Sequence, residues 1–199
     1  MSLDKSLEAP VSEQTVQLLR EKAKEKIDEE KWVGRDAELK AFNFVQCWTS
    51  EKAWGGILDR RVIKNEWAGM YVGDAEHAPP NYKVWIKGNE TTLGIRSRTL
   101  KDLAYWKQVP YPDDRFRLEK KKIHDYIIAA SVDFRKNNGA IVCFYGACAK
   151  LVLIEVLKTI ERVRSLAQQE YFRPIPLGYF NYDLMLDMLG SCDVRSSAV

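Results

Sequence analysis

The chain has 199 residues, 46% hydrophobic and 30% charged, the make-up of an ordinary globular protein with length for one core or one modest domain plus arms. Its 31 lysines and arginines against 28 aspartates and glutamates leave a net charge of +3, too small to demand nucleic acid or an anionic membrane. Cys47, Cys143, Cys148 and Cys192 have no C-x-x-C spacing, and His77 and His124 are the only histidines, so neither a zinc site nor a disulfide framework is expected.

Asp4, Glu8 and Glu13 interrupt any apolar run at the start, which reads neither as a secretory signal nor as an arginine-rich transit peptide. Pro10 and the N-cap residue Ser12 open a predicted helix to about Lys31, with Val16, Leu19, Ala23 and Ile27 on a narrow apolar stripe. Asp36 caps a second helix that buries Leu39, Phe42, Val45 and Trp48, and Thr49 or Ser50 begins a short turn that Gly55-Gly56 ends. Residues 61–73 suggest a weak strand. Tyr82 to Ile86 and Thr91 to Ile95, separated around Gly88-Asn89, form a predicted hairpin.

Between Trp67 and Ile86 the sequence gathers Trp67, Tyr71, Pro79, Pro80, Tyr82 and Trp85. Proline fixes φ and pushes the preceding residue toward extended backbone, so Ala78-Pro79-Pro80 runs as a stiff segment from which Tyr82 and Trp85 project. Two readings stand together: these six residues are a partner-binding ribbon, or the rings fill the core of the chain's own domain.

Thr99 caps a short helix with Leu100, Leu103 and Trp106, which Pro110 and Pro112 break; residues 109–114 mark the boundary between two halves. Beyond it come a strand at Phe116 to Leu118, a helix from Lys120 to Lys136 stopped by Asn137-Asn138-Gly139, and a buried strand from Ala140 to Tyr145. A turn at Gly146 leads to a long helix from Ala147 to Ala167 whose two apolar faces need two coverings. Residues 183–189 add a last helical turn or two, and the tail from Gly190 reads as disordered. The fold expectation is α+β: a compact strand-helix-strand-helix unit over 111–190, an N-terminal helical and extended interaction region over 1–110, and a disordered tail over 191–199. The most apolar window, 140–157, carries Lys150 and Glu155 and is too short for a membrane span.

Catalysis requires a nucleophile, a base and an anion-stabilising group that converge. G-x-S-x-G, P-loop, H-E-x-x-H and complete G-x-G-x-x-G motifs are all missing, so the sequence reads as non-enzymatic, with no catalytic or metal-binding residue and no cofactor. Gly146 between a predicted strand and helix is a weak phosphate signal. His124 beside Asp125 would point to different helix faces, and Cys143 and Cys148 lack a visible base. Arg115, Arg117, Lys120, Lys121 and Lys122, with Phe116 among them, are the possible nucleic-acid-binding residues, although Asp113, Asp114 and Glu119 dilute them and a solvated loop face is the simpler reading.

The run Pro79-Pro80-Asn81-Tyr82-Lys83-Val84-Trp85-Ile86, with Trp67 and Tyr71 before it and Val109-Pro110-Tyr111 and Lys121-Lys122-Ile123 after it, resembles the small twelfth alpha-subcomplex accessory subunit of mitochondrial NADH:ubiquinone oxidoreductase, complex I, over residues 60–126. That resemblance implies a non-catalytic structural subunit on the matrix side of the inner mitochondrial membrane, bound to other subunits of the respiratory chain, with cytoplasmic residence as the alternative. Residues 116–167 are similar in outline to the Alba family, which implies RNA or DNA binding through Lys120, Lys121 and Lys122.

Overall fold

Ser12 has extended backbone and its hydroxyl accepts the Thr15 amide at 3.2 Å, so helix α1 (Glu13–Glu29) starts where its N-cap requires. A computed structural model describes residues 5–31, 34–70, 80–113, 116, 123–135, 139–164 and 171–195, with the side chains of 34–36 excepted. The chain builds the expected α+β fold. After strand β1 (Leu7–Val11) and α1 come α2 (Gly34–Arg60), β2 (Asn65–Trp67), β3 (Tyr82–Ile86), β4 (Asn89–Thr99), α3 (Leu100–Trp106), β5 (Gln108–Pro112) and β6 (Tyr126–Phe134). Then follow β7 (Ala140–Ala149), α4 (Lys150–Thr159), β8 (Val163–Arg164), β9 (Tyr171–Pro176) and α5 (Tyr182–Gly190).

Six strands form one sheet in the order β1-β7-β6-β4-β3-β2, and a smaller sheet runs β5-β9-β8. Every pair is antiparallel except β4 with β6, where Leu93 faces Tyr126 and Thr99 faces Val132; α3 and β5 lie within that crossover. One face of the large sheet packs Val16, Leu19 and Ala23 of α1, Val45, Trp48, Trp54 and Leu58 of α2, and Met185 and Met188 of α5. The opposite face carries a second core from Leu103 of α3, Tyr111 of β5, Leu153, Val156 and Leu157 of α4, and Ile175 of β9. Because β7, β6 and β4 share the sheet with β3 and β2, the expected division at 110/111 is corrected: the sheet crosses it, and each core takes residues from both sides.

Several predicted elements change type. Residues 126–134, expected within a helix, are strand β6, because Ile127 to Val132 are buried on both faces and such a run lacks the alternation that marks a half-exposed strand. β7 continues to Ala149, and its helix occupies only Lys150–Thr159. Gly146 is not a strand-to-helix turn. It sits inside β7 beside a register shift, where a Cβ would lie 2.7 Å from the Asn181 backbone carbon. Gly55 and Gly56 lie within the continuous α2, and Pro10 belongs to edge strand β1, where a missing N–H is tolerated. Nor is the whole tail disordered: Asp193 exchanges backbone bonds with Lys64 and Trp85, and its carboxylate accepts the amides of Lys87 and Gly88, the left-handed pair in the β3–β4 turn. Residues 196–199 lie outside the described residues. Among the described residues, no helix is long and apolar enough to cross a membrane.

Arg173 ties the second core together. Its Nε donates to the fully buried Asp113 at 2.6 Å, Nη1 donates to the carbonyls of Leu157 and Ile160 at the end of α4, and the guanidinium stacks over Phe116. Truncating Arg173 leaves buried Asp113 only the longer pair with half-exposed Arg162 at 3.8 Å and frees two carbonyls, so Arg173→Met is expected to cost about 3 kcal/mol. Urea denaturation at neutral pH checks this, with Asp113→Asn/Arg173→Met expected to lose less than Arg173→Met.

Candidate functional site at the open edge of β4

β3 accompanies β4 only as far as Leu93, which faces Tyr82. Beyond that point no strand among the described residues borders β4 on this edge, and its backbone must find other partners. Side chains supply them. The Asn81 carboxamide oxygen accepts the Ile95 N–H at 2.8 Å, Arg96 Nη1 donates to the Ile95 carbonyl at 2.9 Å, and the Gln46 amide donates to the Ser97 carbonyl at 2.8 Å. Ser50 Oγ donates to Ser97 Oγ at 3.2 Å.

Glu51 of α2 stands behind Asn81. Its carboxylate oxygens accept the Asn81 amide at 2.7 Å and the Trp67 indole N–H at 2.8 Å, while its backbone carbonyl accepts the Tyr82 hydroxyl at 2.9 Å. Burial raises the Glu51 carboxyl to about 7, against the opposing pull of those two hydrogen bonds and the Arg96 charge. The same surroundings push the Tyr82 phenol up, with burial first and the Glu51 charge second. Lys52 lies 3.8 Å from the centroid of the Trp67 ring, and burial lowers its ammonium.

Cys47, one turn before Glu51, is solvent-exposed by area, yet burial raises its thiol to about 11, followed by the Glu51 charge. Arg96 acts on both Cys47 and Glu51, and its guanidinium carbon is 5.5 Å from the Tyr111 ring centroid. Arg98, two residues on, shares Arg96's face of β4. The Nε atoms of both are buried without an acceptor among the described residues.

The six residues of the expected partner-binding ribbon divide. Tyr82 is 2% exposed, stacked on Trp67 and clamped to α2, which corrects its assignment to a partner surface: strand alternation turns Tyr82 and Val84 into the chain's own core. Trp67 is half-buried in the same network, Trp85 is half-buried with Lys64 over its ring at 4.1 Å, and Pro80 is half-buried. Tyr71 and Pro79 lie outside the described residues. So do Arg115, Arg117, Lys120, Lys121 and Lys122, but the segments flanking them are both held at β4. Tyr111 faces Arg96; beyond the basic run, His124 packs on Gly94 and Asp125 accepts the Thr92 amide and hydroxyl at 2.8 Å each. Sequence reasoning missed Glu51, Arg96 and Arg98, which belong to no motif, and named Asn81 only within the Pro-Pro ribbon; the one signal was the i, i+2 arginine pair just past the predicted strand Thr91 to Ile95.

No family model, no curated protein and no solved structure matches this chain.

Two measurements bear on the Glu51 network. Glycine in a helix interior ordinarily costs up to about 1 kcal/mol relative to alanine, yet a methyl at Gly55 would overlap the Tyr82 hydroxyl. Gly55→Ala is therefore expected to destabilise by about 1–3 kcal/mol, with most of that loss removed in a Tyr82→Phe background, where the nearest atom becomes ring carbon at 3.4 Å. The second concerns pH. The folded state holds the Glu51 proton up to about 7, while the unfolded chain releases it in the ordinary carboxylate range, so this group's contribution to stability falls as pH rises through that window and is flat above it. Glu51→Gln should flatten the decline, as read from unfolding midpoints across the same pH range.

Proposed function

We propose that this chain is a non-catalytic nucleic-acid-binding protein without a cofactor of its own, and that it contacts the phosphate backbone on the side of the fold where β4 carries Arg96 and Arg98. The observation that carries this reading is the convergence on one strand of two half-buried arginines and both flanks of the basic run Arg115, Arg117, Lys120, Lys121 and Lys122. Clustered cations supply the sequence-independent part of nucleic-acid affinity, which a modest net charge of +3 spread evenly would not. This reading does not lean on the Alba-like order of elements, since residues 126–134 are strand.

A second reading, a structural accessory subunit of a large mitochondrial assembly such as respiratory complex I, is favoured by a different surface. Tyr105 and Trp106 at the end of α3 pack edge to face while 77% and 55% exposed, and Leu151 and Val152 of α4, on the same side of the sheet, are 79% and 48% exposed. Large apolar side chains left uncovered mark docking surfaces. Under this reading the chain works on the matrix side of the inner membrane; under the first, cytoplasmic residence serves equally.

Fluorescence anisotropy with labelled oligonucleotides of roughly 16 nucleotides, single-stranded and duplex, separates the two. The nucleic-acid reading expects an affinity that falls steeply with salt, and replacement of Lys120, Lys121 and Lys122 by Gln is expected to weaken binding and reduce the salt slope by roughly three. Binding that is absent at low salt, combined with co-migration in a high-molecular-weight complex on native gels, selects the accessory-subunit reading.

A further inference from the structure

β4 alternates its side chains, so Arg96 and Arg98 project from the same face, toward the second core. Arg96 is already oriented: one Nη1–H is spent on the Ile95 carbonyl and its plane lies near Tyr111. Arg98 has lost part of its hydration, and burial is the first cause lowering its guanidinium, with Asp102 opposing. Each presents a buried Nε–H that finds no acceptor among the described residues. An unmet buried donor is costly, and more so on a charged group, so two of them two residues apart call for a common partner.

Neither neighbouring acid hydrogen-bonds these Nε–H groups, although Glu51 interacts electrostatically with Arg96 and Asp102 with Arg98. Glu51 accepts from Trp67 and Asn81, and Asp102 is bonded to the N-cap hydroxyl of Thr99 at 2.7 Å. Across the parallel β4–β6 pair, Arg98 faces Ser131, whose hydroxyl shares a 2.8 Å hydrogen bond with the Tyr145 hydroxyl. Both hydroxyls also lie within hydrogen-bonding reach of the Cys143 thiol. Among the described residues the local inventory is thus rich in fork-shaped cationic donors, and neither Nε–H meets an acceptor. A tetrahedral oxyanion, with several acceptor oxygens and negative charge, matches it; a neutral or cationic ligand does not.

We infer that Arg96 and Arg98 form a binding site for an oxyanion of the phosphate class, either a phosphodiester of a bound nucleic acid or free inorganic phosphate. The phosphodiester source rests on the nucleic-acid reading above; the free anion does not.

The test uses the full chain. Thermal unfolding and calorimetry are run with sodium phosphate against sodium chloride at matched ionic strength, for wild type, Arg96→Lys, Arg98→Lys, Arg98→Gln and a remote control, Lys24→Gln. Labelled oligonucleotide affinities are measured on the same set. Lysine keeps the charge and most of the stem but removes the fork, so the phosphate response is expected to persist in wild type and Lys24→Gln. It should weaken by roughly tenfold or more in Arg98→Lys. Unfolding in chloride alone reports whether each variant is folded, and Arg98→Lys decides if Arg96 variants are not. Phosphate that displaces oligonucleotide identifies the phosphodiester source, as does a loss of oligonucleotide affinity in Arg98→Lys without a free-phosphate response. Phosphate binding with no oligonucleotide binding at any salt supports the free-anion site while removing the nucleic-acid reading. Equal behaviour of wild type and Arg98→Lys toward both probes overturns the inference.

Discussion

Beyond Leu93, the edge of β4 is completed by side chains instead of a strand, and the arrangement of the surrounding elements follows from that requirement. Peptide groups inside a protein must be hydrogen-bonded, so Ile95 and Ser97 need partners that a neighbouring strand would normally provide. Asn81, Gln46 and Arg96 fill that role. Each needs its own support: Asn81 is braced by Glu51, and Glu51 by Trp67. That chain of contacts sets the distance of α2 from the sheet. Gly55 then becomes necessary, because only a bare helix surface leaves room for the Tyr82 hydroxyl to reach the Glu51 carbonyl.

The cost of this arrangement is a carboxyl group in a poorly solvated place, which burial moves to near neutrality. Its partners offer two N–H donors, enough to hold it in position but not to offset its lost hydration. The second face of the sheet uses a different solution. There Asp113 is fully buried beside Arg173, and the arginine also satisfies the last carbonyls of α4. One buried acid is braced by neutral donors and the other by a cation, and each fixes a helix to the sheet.

Among the described residues, β4 itself carries two half-buried arginines. Arg96 and Arg98 have donors to spare, and the strand also anchors both flanks of the most basic stretch of the sequence. The exposed Tyr105 and Trp106 of α3 and Leu151 and Val152 of α4 also lie on the second-core side of the sheet. The aromatic stretch that first invites a partner-binding interpretation is largely absorbed by the fold. Trp67 and Tyr82 act as internal struts, and Trp85 is shared between the sheet and Lys64.

Local signals were legible wherever one short segment decided the outcome. The Ser12 and Thr99 caps, the apolar stripe of α1, and the Gly88-Asn89 hairpin needed only neighbours a few residues away, and α+β character followed from their sum. Type failed for residues 126–134 because burial on both faces erases the period-two pattern, while Ile123, Ile127, Ala130 and Phe134 happen to match helical spacing. Role failed for Glu51, Asn81 and Arg96, which are separated by up to 45 positions and meet only when α2 packs across β3 and β4. The sequence by itself determined where helices begin, where the hairpin turns and how much apolar surface must be hidden, since these depend on local backbone preference and composition. Tertiary structure alone decided which rings face inward, which acid is neutralised and which strand edge stays open, because each depends on what distant segments bring into contact.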